Sequence, residues 1–288
     1  MRYGETFVMH RFFADRDSIN EEEHLISLTG PDVNHVKNVL RMKVGDELLV
    51  CLKDTEDKTA SAGSSMSGAL SGLSDGPEDA GDEDFRRGND YNCVIEEMTV
   101  DEVICRIRFV KRSDSELSSR VYLFQGLPKG DKLELVIQKC VELGVFEIIP
   151  VSCLRSVVKL DDKKAGKKRE RWQQIAKGAA EQSHRALIPE VKSPMSFSDA
   201  LKYADENCIT KLIPYELCND DIKETKSILE NLKAGESVAF FIGPEGGFDE
   251  KEVKACMAAG FVPVTLGKRI LRTETAPITV MSWLSLYL

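Results

Sequence analysis

From Arg120 to the end of the 288 residues, short apolar runs alternate with longer amphipathic segments, and this alternation constrains the fold more than any other feature. Residues 121–125, 145–151, 209–214, 237–242 and 262–266 read as strands rich in Val, Ile, Leu and Phe. Residues 131–143 read as a helix with Leu133, Val136, Ile137, Cys140 and Val141 on one stripe, closed by Gly144. Further helices are expected at 163–183 and at 250–259, the latter opened by Asp249 with Glu252 at capping-box spacing. Strands separated by helices run parallel, because each crossover brings the chain back to the same end of the sheet. The expectation is an α/β domain over 119–288. Its last helix, 278–288, is apolar nearly all round and so belongs in a core or a subunit interface.

The first 118 residues have a different rhythm. Residues 24–29, 47–53, 91–98 and 102–111 read as strands; in the last, Val103, Cys105, Ile107 and Phe109 share one face. A short helix is expected over 32–43, and a small β-rich domain over 9–118, with a linker at 113–119. Residues 54–90 interrupt it with ten acidic residues against three basic ones, among Gly and Ser and almost no aromatics. Such a stretch buries too little apolar surface to offset the entropy of ordering, so we expect a disordered insertion. Met9 reads as the original start, with 1–8 as an added leader.

The formal charge is −9 and argues at first against a nucleic-acid partner. The insertion alone carries −7 of it, however, whereas 155–185 carries ten cations against four acids. That basic stretch is either a solvated helix face or a phosphate footprint. The longest wholly apolar run, 238–242, is far short of the ~18 residues of a membrane span. Neither a secretory h-region nor a transit-peptide bias is present, and a cytoplasmic location is expected. The eight cysteines form no C-x-x-C pair and the four histidines are dispersed, so no metal is expected.

Two strand-to-helix loops carry the chemistry. Phe241-Ile242-Gly243-Pro244-Glu245-Gly246-Gly247-Phe248 lets backbone approach a ligand beside a helix N-terminus, although an ordinary glycine turn has the same composition. It lacks the Walker and dinucleotide spacings, so ATP and nicotinamide chemistry are poorly supported. Leu266-Gly267-Lys268-Arg269-Ile270-Leu271-Arg272-Thr273-Glu274-Thr275 falls after the last strand. Both loops are expected at the carboxyl edge of the sheet, where α/β folds collect ligands. Glu274 is a candidate base, or only a partner of the helix dipole.

Several segments in order resemble the ribosomal RNA small-subunit methyltransferase E family. They are Leu127-Pro128-Lys129-Gly130-Asp131-Lys132, Gln138–Gly144, Glu181-Gln182-Ser183-His184-Arg185 and the two loops above. At the front, His10-Arg11-Phe12-Phe13 and Asn34–Arg41 add to the resemblance. The resemblance implies a SPOUT-type catalytic domain with a trefoil knot, an N-terminal PUA-like barrel that contacts RNA, and a homodimer. The implied activity is transfer of a methyl group from S-adenosylmethionine to N3 of a uridine in 16S rRNA, and the expected substrate is that RNA within the assembled small subunit.

The implied cofactor residues are Ile213, Pro214 and Tyr215; Ile242, Gly243, Pro244, Glu245, Gly246 and Gly247; and Leu266, Gly267, Ile270, Leu271 and Arg272. Arg272 is the candidate for stabilising a uridinate and Glu274 for the base. Arg11, Arg41, Arg155, Lys159 and Arg185 are the candidate RNA contacts. Lys268 stands where the family usually has Pro, and Pro277 follows Ala276 where small helix formers are usual; neither replaces a Gly, Arg or Glu of the motifs. Two other functions stay open at this point: a related knotted methyltransferase acting on tRNA or another rRNA site, and a noncatalytic RNA-binding assembly factor.

Overall fold

The computed structural model describes residues 9–52, 89–158, 162–215 and 222–288. The core of the expected insertion and residues 1–8 lie outside the described residues. The chain divides into two units, one running up to Glu116 together with His184–Leu187, the other comprising Leu117–Ser183 and Ile188–Leu288. The boundary therefore lies two residues before the expected one, and four residues late in the chain return to the first unit. Ser118 sides with the second unit because its N–H donates to Leu288 O and its carbonyl accepts from Gly235 N–H.

In the first unit, β1 (Arg11–Ala14), β2 (Ile19–Asn20), β3 (Leu25–Thr29), β4 (Glu47–Leu52), β5 (Asn89–Met98) and β6 (Glu102–Arg112) form one sheet. Its order is β1-β4-β5-β6-β3-β2, with only the β1–β4 pair parallel. Phe12, Ile26, Leu48, Val50, Ile95 and Val103 fill its core. Asn89 and Asp90, expected in the insertion, are instead the first residues of β5.

Two local readings are corrected. Phe109 is 39% exposed while Val110 is buried, because the β5–β6 register slips between Asn92 and Cys93. That bulge inverts the alternation beyond Ile107. The helix expected over 32–43 is a single α-turn, α1 (Pro31–Asn34), continued by a π-turn over His35–Val39. The Leu40 N–H reaches back to His35 O, and the wider turn leaves Val39 exposed while Val36 stays buried.

The second unit is built on a wholly parallel sheet of β7 (Val121–Gly126), β8 (Glu147–Ser152), β9 (Glu190–Val191), β10 (Met195–Ser196), β11 (Thr210–Pro214), β12 (Val238–Ile242) and β13 (Val262–Val264). The order is β10-β8-β7-β12-β11-β13, with β9 also on β8. Helices α2 (Lys132–Glu142), α3 (Asp162–Gln182), α4 (Phe197–Asn207), α5 (Ile222–Glu230), α6 (Glu250–Ala258) and α7 (Thr275–Tyr287) connect or flank it. The expected stripe of α2 is buried residue for residue. Asp249 and Glu252 form the expected capping box on α6. Helix α7 starts three residues earlier than expected, with Pro277 in its first turn, and buries Ala276, Val280, Met281 and Leu284 against α2 and α5. Phe124, Phe241, Phe248 and Phe261 pack with Phe197 in the core between sheet and helices.

Candidate functional site

Strands β12, β11 and β13 are neighbours and parallel, so the chain leaves all three at the same edge. Three of the loops singled out from the sequence therefore meet there. The Tyr215 N–H donates to Val264 O at 3.0 Å, tying the exit of β11 to that of β13. Ile213 and Ile242 are fully buried in the sheet, so only their main-chain groups are left for a ligand, whereas Pro214, Tyr215, Gly243, Gly247, Leu266, Gly267 and Leu271 are partly open. Pro244 is buried; Glu245, Gly246, Ile270 and Arg272 are exposed.

The glycines let the loops close on one another. A Cβ on Gly243 would stand 3.2 Å from the Gly247 carbonyl carbon, and Gly247 and Gly267 have φ of +66° and +97°, which side chains rarely adopt. Gly126, at the end of β7, lies so near Pro244 that a Cβ would come within 2.7 Å of its ring.

A buried polar seam that the sequence reading missed holds the loops together. Gln125, fully buried at the end of an otherwise apolar strand, donates from Nε2 to Thr273 Oγ1 at 3.0 Å. The Thr273 hydroxyl donates in turn to Gly243 O at 2.6 Å. One threonine thus links the exits of β7 and β12 to the loop leading into α7. On the β13 side, Thr265 N–H donates to Thr225 Oγ1 and the Gly267 N–H to Thr265 Oγ1. The signal for Gln125 was a lone amide within the apolar run 121–128.

Charged groups form a second link. Lys132, the first residue of α2, places Nζ 3.0 Å from Glu245 Oε1 and 3.6 Å from Glu274 Oε2, and the Lys129 N–H also donates to Glu245. Partial burial would raise the Glu245 pKa, but the Lys129 N–H and the Lys132 ammonium outweigh it and hold the carboxyl below its ordinary range. The same contact pushes the Lys132 pKa up. Arg272 has no side-chain partner among the described residues, while its carbonyl accepts from the Thr275 and Ala276 N–H groups at the start of α7.

The candidate RNA contacts fare differently. Arg11 and Arg185 are corrected: both are buried. Arg185, 3% exposed, is paired with Glu116, whose carboxylate also takes the Ala186 N–H. Arg11 is paired with Asp90 at 2.8 Å and donates to Arg185 O. These guanidiniums are consumed inside the first unit. Arg41 is exposed, with φ +55°. Arg155 is half-exposed, donating to Gly246 O and lying 3.5 Å from Asp249. Lys159 lies outside the described residues.

The basic stretch is also largely spent locally. Arg169 pairs with Glu190, Arg171 with Glu134 and Lys177 with Glu181, and Lys168 lies 5.8 Å above the Trp172 ring. The seven described cysteines are free and buried, and burial pushes the thiols of Cys105, Cys208 and Cys256 up to about 12. Among the described residues no cluster of His, Cys, Asp and Glu is arranged to hold a metal ion.

The sequence of these two units matches two known domain models. The RNA methyltransferase domain covers residues 115–285 and the RNA methyltransferase PUA domain covers 28–57. The chain belongs to the RNA methyltransferases. More narrowly, it is a member of the ribosomal RNA small subunit methyltransferase E family. It is 37% identical to the Bacillus subtilis protein of that name over 96% of both chains, and 30% identical to the Mesomycoplasma hyopneumoniae one over 95% of this chain and 98% of that. The Neisseria gonorrhoeae protein of that name, solved bound to S-adenosylmethionine, is similar in structure with a TM-score of 0.69 at 28% identity, over 95% of each chain.

Proposed function

We propose that this chain transfers the methyl group of S-adenosylmethionine to N3 of a uridine in 16S rRNA, acting on the assembled small subunit as a cytoplasmic homodimer with a trefoil-knotted catalytic domain. The observation that carries the reading is the meeting of three loops at one sheet edge beside an unpaired guanidinium, Arg272, within an RNA methyltransferase domain. The edge suits the cofactor. Gly243, Gly246, Gly247 and Gly267 carry no side chains, so an adenosine can approach the main chain closely there, and Pro214, Tyr215, Leu266, Ile270 and Leu271 supply apolar contact. When bound, S-adenosylmethionine supplies an electrophilic methyl group.

The chain's own residues do the rest. The N3 proton of uridine is weakly acidic and its loss has to be assisted. Arg272, with no internal anion to neutralise it, stabilises the negative charge that develops on the base. Glu274 serves as the base in this reading, and Lys132, 3.6 Å from its Oε2, supports it. The methyl acceptor is a ring nitrogen, so no thiol nucleophile is needed, in keeping with the buried cysteines.

The test is transfer of tritium from labelled S-adenosylmethionine into assembled small subunits and into naked 16S rRNA, followed by nucleoside mass spectrometry. N3-methyluridine is expected, with Arg272→Ala slowing turnover by about 10²-fold. Methylation at any other nucleotide, or none, sinks the assignment. No described helix is long and apolar enough to cross a membrane.

A further inference from the structure

The loop before α7 carries three cations within five residues, Lys268, Arg269 and Arg272, and all three are exposed. Among the described residues none of them has a carboxylate at ion-pair distance. Several cations elsewhere in the second unit behave differently. Arg155, Arg169, Arg171, Lys177, Lys192 and Lys211 each meet an acidic side chain. The two carboxylates nearest in these loops, Glu245 and Glu274, are both taken by Lys132. A fourth exposed cation, Lys129, stands at the same edge on the loop after β7 and uses only its main-chain N–H on Glu245. Clustered like charges repel, so this edge carries an electrostatic cost that an anion from outside the chain would relieve.

We propose that Lys268 and Arg269, with Lys129 at the same edge, are a docking surface for the sugar–phosphate backbone of the RNA strand that carries the target base. The proposal rests on the RNA-modifying function above and assigns the phosphate contacts of the catalytic unit to this loop. It takes them away from the more basic helix α3, where Arg169, Arg171 and Lys177 are engaged by Glu190, Glu134 and Glu181.

Counterion release makes the assignment measurable, since each phosphate neutralised adds about 0.7–0.9 to the slope of log affinity against log salt. In the full-length chain, binding of a 16S rRNA transcript is titrated at several salt concentrations and S-adenosylmethionine binding is followed by calorimetry. For Lys268→Ala/Arg269→Ala we expect about tenfold weaker RNA binding at low salt and a slope smaller by about 1.5, with cofactor affinity unchanged. Lys167→Ala/Arg171→Ala on α3 should leave the slope as it is. An unchanged slope in the loop variant overturns the proposal, and so does a loss of RNA affinity matched by an equal loss of cofactor affinity, which would hand the cations to the cofactor. If the wild-type chain binds no S-adenosylmethionine while the loop variant still loses slope, the methyl-transfer reading fails and the docking surface stands.

Discussion

Thr273 does more than its type would suggest. A single hydroxyl accepts from Gln125 and donates to Gly243 O, so its loss leaves the Gly243 carbonyl without this partner and the Gln125 amide with only Gly126 O. Each unmet group costs on the order of 1–3 kcal/mol. Thr273→Val, which keeps the shape, should therefore lower stability by about 2 kcal/mol in urea titrations and weaken S-adenosylmethionine binding, whereas Thr273→Ser should recover most of both. Equal behaviour of the two variants would mean that the hydroxyl does not matter. The pair of Arg185 and Glu116 is a different kind of residue-scale device. Both are almost wholly buried, and removing one strands the other as an uncompensated charge. Glu116→Ala should cost about 3–5 kcal/mol by chemical denaturation. The Arg185 position was visible in the sequence as a cation in a motif, but its burial was not, because its partner lies 69 residues away.

At the scale of elements, contact between loops matters more than the loops' own composition. The close approach of Gly126 to Pro244 is the one point where β7 and the loop after β12 have no room for a side chain. Gly126→Ala has to push the 243–247 loop outward; overpacking of this kind costs about 1–3 kcal/mol, and hydrogen exchange should quicken in 243–247 more than in α2. Uniform protection across both would refute it. The elements themselves were legible where local signals are strong: the apolar stripe of α2, the capping box of α6 and the strands β7, β8, β11 and β12. Helices α4 and α5 were not read, the first because its buried stripe is only Ala200 and Ala204, too small to mark a face. The bulge in β6 and the π-turn after α1 each shift a pattern by one residue, and the partner strand or turn that causes the shift is not part of the local pattern.

For the whole molecule, net charge proved a poor guide. The negative charge is concentrated in one segment, and the three cations Arg169, Arg171 and Lys177 of α3 are paired with acids, whereas the short loop before α7 holds three cations with no acidic partner among the described residues. The return of 184–187 to the first unit has a pH signature. His184 has its pKa lowered by burial first and then by Arg11 and His10, with Asp90 opposing. A histidine with a depressed folded pKa leaves the unfolded chain binding more protons, so stability is intact above the ordinary value of 6.5 and falls as pH drops below it. His184 also has φ +57°, which Asn tolerates. His184→Asn should flatten the loss of melting temperature between pH 7 and pH 5; a profile parallel to the wild type would show that other groups set it.

Read alone, the chain already specified an α/β unit after Arg120, a β-rich unit before it, the two loops of the edge and their glycines. These depend on periodicity, caps and backbone freedom, all set within a few residues along the chain. Which charges are available to a ligand depended on pairs far apart in sequence, 79 residues for Arg11 with Asp90 and 69 for Arg185 with Glu116. Folding brings those pairs together, and desolvation then makes their satisfaction obligatory. Two arginines that look like RNA contacts in the sequence are therefore structural, while the cations left unpaired at the sheet edge are free to meet a partner.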